Sequence, residues 1–138
     1  MKNILIISDG IPGHFNQSKG VASILSKTHP SNIHFTELSF KIHQLRGPIT
    51  VFSRILMRLP NKLTANLVYC MYSSIETIGV DLIIGAGGKT APYSAAIKVL
   101  NNIPVIQLGS PRGLHSSLFN ALVTVEKYYE DSSNIIAS

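Results

Sequence analysis

Residues 4–18 decide the fold, and they read Ile-Leu-Ile-Ile-Ser-Asp-Gly-Ile-Pro-Gly-His-Phe-Asn-Gln-Ser. The apolar run over residues 4–7 is typical of a parallel strand that is buried on both faces. Residues 21, 22, 24 and 25 are apolar at the spacing of one helix face, so we predict a helix over residues 17–27. The connection over residues 9–17 is a strand-to-helix loop, and in an open α/β sheet such loops lie at the edge where ligands bind.

The same alternation continues along the chain. Apolar runs predict strands over residues 33–38, 81–84, 104–108 and 121–125, and a further strand from residue 134. Helical spacing predicts helices over residues 63–78 and 91–100, with a break at Gly47-Pro48 before a basic, apolar segment over residues 49–59. We therefore expect residues 1–138 to form a single α/β domain, a Rossmann-like three-layer sandwich. Its sheet would be mostly parallel, with about five to six strands and right-handed crossovers.

Composition limits the classes of function. The chain has 138 residues, enough for one domain with a core, and a net charge of +5. The basic excess lies in residues 1–70, which carry eight Lys/Arg and two Asp/Glu. Because these basic residues are neither dense nor interleaved with aromatic residues, we expect no nucleic-acid partner. The N-terminal apolar run is too short for a signal peptide and no run reaches the length of a membrane span, so we expect a cytoplasmic protein.

Cys70 is the single cysteine of the chain, so no disulfide can form within it. This fits a reducing compartment. Because Cys70 stands beside Met71 in an apolar helical pattern, we predict a buried structural thiol rather than a nucleophile.

Three strand-exit loops are expected on the same edge of the sheet, over residues 9–17, 85–90 and 109–113. Each contains glycine, which lets a ligand approach the backbone, and two present a cation, Lys89 or Arg112. A helix N-terminus beside a cation suits phosphate, so we predict a pocket for a phosphorylated ligand or a polar sugar. The alternative is that these glycines only make tight turns.

Cofactor and metal motifs are incomplete. Gly88-Lys89-Thr90 is similar to the end of a P-loop, but Ile83 occupies the position of its first glycine. Gly85-Ala86-Gly87 begins like a dinucleotide fingerprint, but its third glycine would fall at Thr90. Since both nucleotide motifs are incomplete, we predict no cofactor. We also predict no metal, because metal-ligand spacing is absent among the histidines other than His14, namely His29, His34, His43 and His115.

His14 is the candidate catalytic residue of the first loop. Histidine exchanges protons near neutral pH, so His14 could act as a general base or bind an acceptor group. The alternative is a histidine that only orders the loop through the backbone. Asp9 could cap the turn rather than take part in catalysis.

A second candidate surface carries Arg54, Arg58 and Lys62, which are spaced at i, i+4 and i+8 beside apolar residues. If residues 51–59 are helical, they form a basic amphipathic element that could lie on an anionic membrane or a partner. Pro60 would displace Lys62 from strict register. The alternative is an ordinary helix whose apolar face packs in the core.

The motifs are similar to those of the mitochondrial fission ELM family. Residues 7–18 resemble its opening motif, Asp-Gly-x-Pro-Gly-His-x-Asn-Gln, and residues 81–92 resemble its second motif. Residues 107–112 and 117–120 resemble its later segments, with Ser110 and Asn120 where that family has aspartate. The resemblance implies a glycosyltransferase-B-like protein of two domains, of which this chain looks like the N-terminal, acceptor-side domain.

The resemblance also implies a function. The whole protein would transfer a sugar from a nucleotide sugar or phosphosugar donor, held on a C-terminal domain, and this chain alone would be inactive as a fragment or shortened gene product. The alternative is a non-catalytic adaptor attached peripherally at the inner face of a membrane through Arg54, Arg58 and Lys62. A sheet edge left open by a missing domain would favour a homodimer. The expected ligand-binding residues are Gly10, Gly13, Asn16, Gln17, Gly85, Gly87, Gly88, Lys89, Thr90 and Arg112.

Overall fold

The structure of the protein is a computed structural model that describes residues 2–41, 43–124 and 134–136. The strands are β1 (Lys2–Ser8), β2 (Ser31–Glu37), β3 (Leu82–Ala86), β4 (Val105–Leu108), β5 (Ala121–Thr124) and β6 (Asn134–Ile136). The helices are α1 (Pro12–Thr28), α2 (Arg46–Met57), α3 (Lys62–Met71) and α4 (Ala91–Asn101). Short 3₁₀ turns cover His43–Leu45 and Ser116–Leu118. Among the described residues, none of the helices is both long and apolar enough to cross a membrane.

The strands form one sheet in the order β2-β1-β3-β4-β5-β6, and each described pair of neighbours is parallel. From β1 the chain moves outward to β2 and then returns to β3 on the other side of β1. The sheet therefore has its topological switch point between β1 and β3, where open α/β sheets bind ligands. This topology confirms the predicted Rossmann-like fold.

Helices pack on both faces of the sheet through apolar residues, which gives a three-layer arrangement. On one face, Ile4, Ile6 and Ile84 pack with residues of α1, including Ala22. On the other face, Leu5, Ile7, Ile83 and Val105 pack with buried residues of α2, α3 and α4. Because successive strand residues point to opposite faces, the apolar run of β1 supplies both cores.

α1 begins five residues earlier than predicted, at Pro12 instead of Gln17. Proline suits the first position of a helix because its backbone φ is already helical and no N–H is lost there. His14, Asn16 and Gln17 therefore lie on the helix itself, and only Asp9, Gly10 and Ile11 connect it to β1.

The segment between β2 and β3 differs most from the prediction. Gly47-Pro48 lies in the first turn of α2 rather than breaking the chain before it. The helix predicted over residues 63–78 ends at Met71, because the next residues pair with another segment. The N–H of Ser73 donates to the carbonyl of Ser39 at 2.8 Å, and Tyr72 forms an antiparallel bridge with Phe40. Tertiary pairing here overrides the helical spacing.

The prediction that Cys70 is buried was wrong, since the structure places this thiol on the exposed side of α3. The buried face of α3 is formed by Ala65 and Val68, and Tyr72 follows at the same spacing. Residues three and four apart share a helix face, whereas Cys70 stands two residues from Val68 and Tyr72.

Candidate functional site

Asp9 and His14 form a hydrogen-bonded pair, here called the dyad, directly after β1. The Asp9 Oδ1 atom accepts a hydrogen bond from the N–H of Ile11 at 3.1 Å, which closes the turn into α1. The Asp9 Oδ2 atom lies 2.8 Å from Nδ1 of His14. The Asp9 side chain is 1% exposed and that of His14 is 35% exposed. Asp9 therefore both caps the turn and holds the histidine.

The dyad fixes which nitrogen of His14 faces outward. A carboxylate only accepts hydrogen bonds, so we assign the ring hydrogen to Nδ1. This leaves the lone pair of the neutral ring on Nε2. His14 stands in the first turn of α1, whose N-terminus has no side-chain cap and presents backbone N–H groups. A base held by a carboxylate at a helix N-terminus can take a proton from a bound hydroxyl group.

The loop after β3 lies directly against the dyad at Gly87. A Cβ atom at Gly87 would overlap Oδ2 of Asp9 and lie 2.6 Å from Nδ1 of His14. The backbone φ of Gly87 is +92°, a value that side chains disfavour. Gly87 thus brings the exits of β1 and β3 together, as the switch point predicts.

A buried polar network holds this second loop in place. The side-chain Nε2 of Gln107 donates to the carbonyl of Gly87 at 3.0 Å and to Oγ1 of Thr90 at 3.2 Å. Thr90 Oγ1 in turn donates to the same carbonyl at 2.9 Å. Gly85 makes room for this network, because a Cβ there would lie 3.0 Å from both Gln107 and Thr90 side-chain oxygens. Gly85 and Thr90 are buried and shape the loop.

Arg112 of the third loop lies against Gly88 of the second loop. A Cβ atom at Gly88 would lie 2.8 Å from Cζ of Arg112, so the guanidinium rests where a side chain is absent. Arg112 itself has a left-handed backbone with φ of +55°, and its N–H donates to Oγ of Ser110 at 3.1 Å. The predicted meeting of the three loops at one edge is therefore visible in the contacts of Gly87 and Gly88.

Arg54 lies beside these loops rather than on an outer helix face. Together with Lys89, it lines a cavity of about 260 Å³ between α2 and the loop after β3. Burial lowers the pKa of Arg54, and the nearby positive charge of Arg112 lowers it further. The three cations therefore share one region of the sheet edge.

Arg58 and Lys62 are separated from Arg54 by the end of α2. Arg58 caps α2, with its Nη2 atom 3.3 Å from where a Cβ of Gly113 would stand. Lys62 is exposed at the first turn of α3. The three residues predicted to form one surface therefore fall on α2, on its C-terminal cap and on α3.

The other predicted ligand-binding residues lie around α1. Gly10, with φ of +85°, lines an open cavity of about 370 Å³ that also contacts Phe15, Phe35 and Glu37. Gly13, Asn16 and Gln17 are exposed on the first two turns of α1. Gly13, Asn16 and Gln17 therefore lie on the same helix as His14, whereas Lys89 lies in the loop after β3.

The sequence placed Arg54 only on a membrane or partner surface, gave no role to Gln107, and suggested Asp9 only as a turn cap. A glutamine inside the apolar run of β4 was the one available signal for the buried network. Within the described residues, no group of three His, Cys, Asp or Glu side chains is placed to hold a metal ion.

Comparison with solved structures supports the fold. The chain is similar to MurG from Acinetobacter baumannii, with a TM-score of 0.56 and 13% sequence identity. The match covers 100% of this chain and 45% of the MurG chain, so this chain spans less than half of that protein. The similarity confirms the predicted glycosyltransferase-B-like, Rossmann-like fold.

Sequence comparison identifies the family. No curated protein matches the chain. The family model described as "Mitochondrial fission ELM1" matches residues 12–128, which include most of the strand-exit loops described above. The chain belongs to the mitochondrial fission ELM1 family.

Proposed function

We propose that this chain is the acceptor-side domain of a glycosyltransferase-B-like protein that transfers a sugar from a nucleotide donor to a hydroxyl group. The observation that carries the proposal is the Asp9–His14 dyad at the switch point of the sheet. The family and the fold support a glycosyltransferase-B-like domain, and the dyad adds a general base in the position where such a sheet binds ligands.

The proposed step uses His14 as the base. His14 Nε2 takes the proton of the acceptor hydroxyl while that oxygen attacks the anomeric carbon of the donor sugar. The bond from the anomeric carbon to the donor phosphate breaks, and the nucleoside diphosphate leaves with the bonding electrons. Asp9 stabilises the protonated ring through Nδ1, as a positioning residue with no contact to substrate.

The donor would be held on a second domain, so the experiment uses the full-length gene product. Transfer of label from a panel of nucleotide sugars to a lipid extract of the source cells is compared between wild type and His14→Gln. We expect His14→Gln to lower the transfer rate by about 10²–10⁴-fold, the usual contribution of a general base. Asp9→Asn should lower it less and shift its pH dependence.

A matched control separates the loss of a base from a change in the surface of α1. Ser23→Ala changes an exposed side chain farther along the same helix and should retain the wild-type rate within about twofold. Equal rates for wild type and His14→Gln, or no transfer from any nucleotide sugar by the full-length protein, would contradict the proposal.

A second candidate function, attachment to an anionic membrane, is supported by exposed apolar residues on α2 and α3. Leu59 is 74% exposed and Leu63 is 70% exposed in the connection and first turn of α3. Arg58 and Lys62 stand beside them, which combines apolar area with positive charge. Further exposed apolar residues of the same hairpin are Val51, Phe52, Ile55 and Leu67.

Sedimentation with phosphatidylglycerol vesicles tests this attachment. We expect the wild-type protein to sediment with the vesicles. The double variant Leu59→Glu with Leu63→Glu should remain in the supernatant. Ile24→Glu is the matched control, because Ile24 is 65% exposed on α1, on the other side of the sheet. Equal sedimentation of both variants and wild type, or none for wild type, would exclude the α2–α3 surface as a membrane contact.

A further inference from the structure

The cavity between α2 and the loop after β3 has an unusual charge composition. It is lined by Phe40, Gly47, Thr50, Val51, Arg54 and Lys89. Two of these residues are cations and none is acidic. Its volume of about 260 Å³ lies below the usual range for a drug-sized ligand, so it admits a small group rather than a whole nucleotide sugar.

Arg54 has a donor without an acceptor inside this region. Its Nε atom is buried, and no described residue accepts a hydrogen bond from it. Buried polar groups are nearly always paired, and an unpaired buried donor on a charged group is costly. Burial lowers the pKa of Arg54, and the nearby positive charge of Arg112 lowers it further.

Arg112 and the backbone of the second loop add donors beside Arg54. The Arg112 guanidinium covers Gly88, and among the described residues no carboxylate pairs with Arg54, Lys89 or Arg112. The carbonyl of Gly87 already accepts from Thr90 and Gln107, and it points into the buried network. Within residues 2–41 and 43–124, the N–H groups of Gly88 and Lys89 donate to no protein acceptor.

We propose that Arg54, Lys89 and Arg112, here called the cation cluster, bind the phosphate group of a phosphorylated ligand. Guanidinium groups match the geometry of phosphate oxygens with two parallel hydrogen bonds, and Lys89 adds a point charge. The phosphate enters the cavity, and the rest of the ligand extends along the loops toward His14. Phosphate binding by the cation cluster deepens the proposed function. It rests on that function only in identifying the ligand as the sugar acceptor.

Calorimetric titration with inorganic pyrophosphate at low salt tests the cluster in the chain as it is. We expect Arg54→Gln to weaken binding by about tenfold or more, since hydrogen bonds to charged groups are the strong ones. Lys89→Gln should weaken it as well, and because Lys89 is exposed its folding is not in question. Lys62→Gln is the matched control and should bind like wild type.

Two further variants keep the test independent of folding and of catalysis. Arg54→Lys retains the charge but loses the planar fork, so its affinity should fall between wild type and Arg54→Gln. Lys27→Gln removes an exposed positive charge from the last turn of α1 and should bind pyrophosphate as wild type does. Pyrophosphate binding without sugar transfer would keep the site and overturn the proposed function, while transfer without pyrophosphate binding would do the reverse.

The source of the phosphate is resolved with two competitors. Phosphatidic acid vesicles present the phosphate on a lipid, and glycerol phosphate presents the same monoester in solution. Displacement of pyrophosphate by the vesicles alone assigns a lipid-linked ligand, and displacement by both assigns a site open to soluble compounds. No pyrophosphate binding by wild type at millimolar concentration, or equal affinity for wild type, Arg54→Gln and Lys89→Gln, would overturn the proposal.

Discussion

The dyad and the cation cluster lie at the same sheet edge but differ in how their charges are compensated. In the dyad, Asp9 pairs with His14 and with the backbone of Ile11, so its carboxylate is satisfied within the chain. In the cation cluster, Arg54 has a buried donor without an acceptor and a second cation nearby. The dyad is paired within the chain, whereas we propose that a bound phosphate group supplies the missing acceptor in the cation cluster. The first is suited to chemistry and the second to recognition.

Among the changes proposed here, Gly87→Ala, which lies against the dyad, should have the largest effect on stability. The added methyl group would overlap Asp9 and approach His14, in a backbone conformation that disfavours side chains. We expect a loss of about 2–4 kcal/mol in the free energy of unfolding, measured by urea denaturation.

Gly20→Ala is the matched control for this change. Nothing lies within 4 Å of a Cβ at Gly20, which stands in the interior of α1. Alanine should therefore stabilise the protein by about 0.5–1 kcal/mol. A Gly87→Ala protein as stable as wild type would contradict the close contact between the two loops.

Gln107→Leu tests the network that both regions share. Leucine has a similar volume but leaves the carbonyl of Gly87 and the hydroxyl of Thr90 without the donor from β4. We expect a loss of about 1–3 kcal/mol in the free energy of unfolding. Because Thr90→Val removes a bond in the same network, the double variant should lose less than the sum of the single losses, and strict additivity would show two independent contacts.

Arg54→Met should stabilise the protein in the absence of anions, in contrast to changes at the dyad. Methionine removes an uncompensated charge and keeps much of the apolar stem, so we expect a gain of about 0.5–1 kcal/mol in urea denaturation. Adding pyrophosphate should stabilise wild type and leave Arg54→Met unchanged. A destabilised Arg54→Met protein would mean that Arg54 is paired within the chain, as Asp9 is.

Cys70 lies apart from both clusters and gives the smallest expected effect. Because the thiol is exposed on α3, Cys70→Ser should change the free energy of unfolding by less than about 0.5 kcal/mol. The native wild-type protein should react with a thiol reagent at a rate similar to the unfolded chain. Reaction limited by the rate of unfolding would show that the thiol is buried after all.

The strands could be predicted because apolar runs between glycine-rich loops are typical of a parallel sheet, whereas their order is known only from the structure. The three loops were placed on one edge for the same reason, and the contacts of Gly87 and Gly88 bear this out. His14 was identified from the first loop, but its position on α1 was missed because Pro12 starts the helix earlier than the apolar spacing does.

Lys89 and Arg112 were expected at one sheet edge, but the place of Arg54 in the cation cluster could not be predicted from local patterns. Arg54 and Lys89 are far apart in the chain, and they line one cavity because α2 packs against α4, which begins two residues after Lys89. The spacing of Arg54, Arg58 and Lys62 suggested one helix face, but α2 ends at Met57 before that face is complete. The end of α3 was missed for a similar reason, since Tyr72 and Ser73 pair with a distant segment.

The most direct test of the two-part edge is a nitrogen-detected NMR titration of the chain with inorganic pyrophosphate. Arginine Nε and histidine ring nitrogens are observed together in one series of spectra. We expect a large, saturable shift of the Arg54 Nε–H resonance, while His14 keeps its hydrogen on Nδ1 throughout. A shift at His14 with none at Arg54, or a His14 ring with its hydrogen on Nε2, would contradict it.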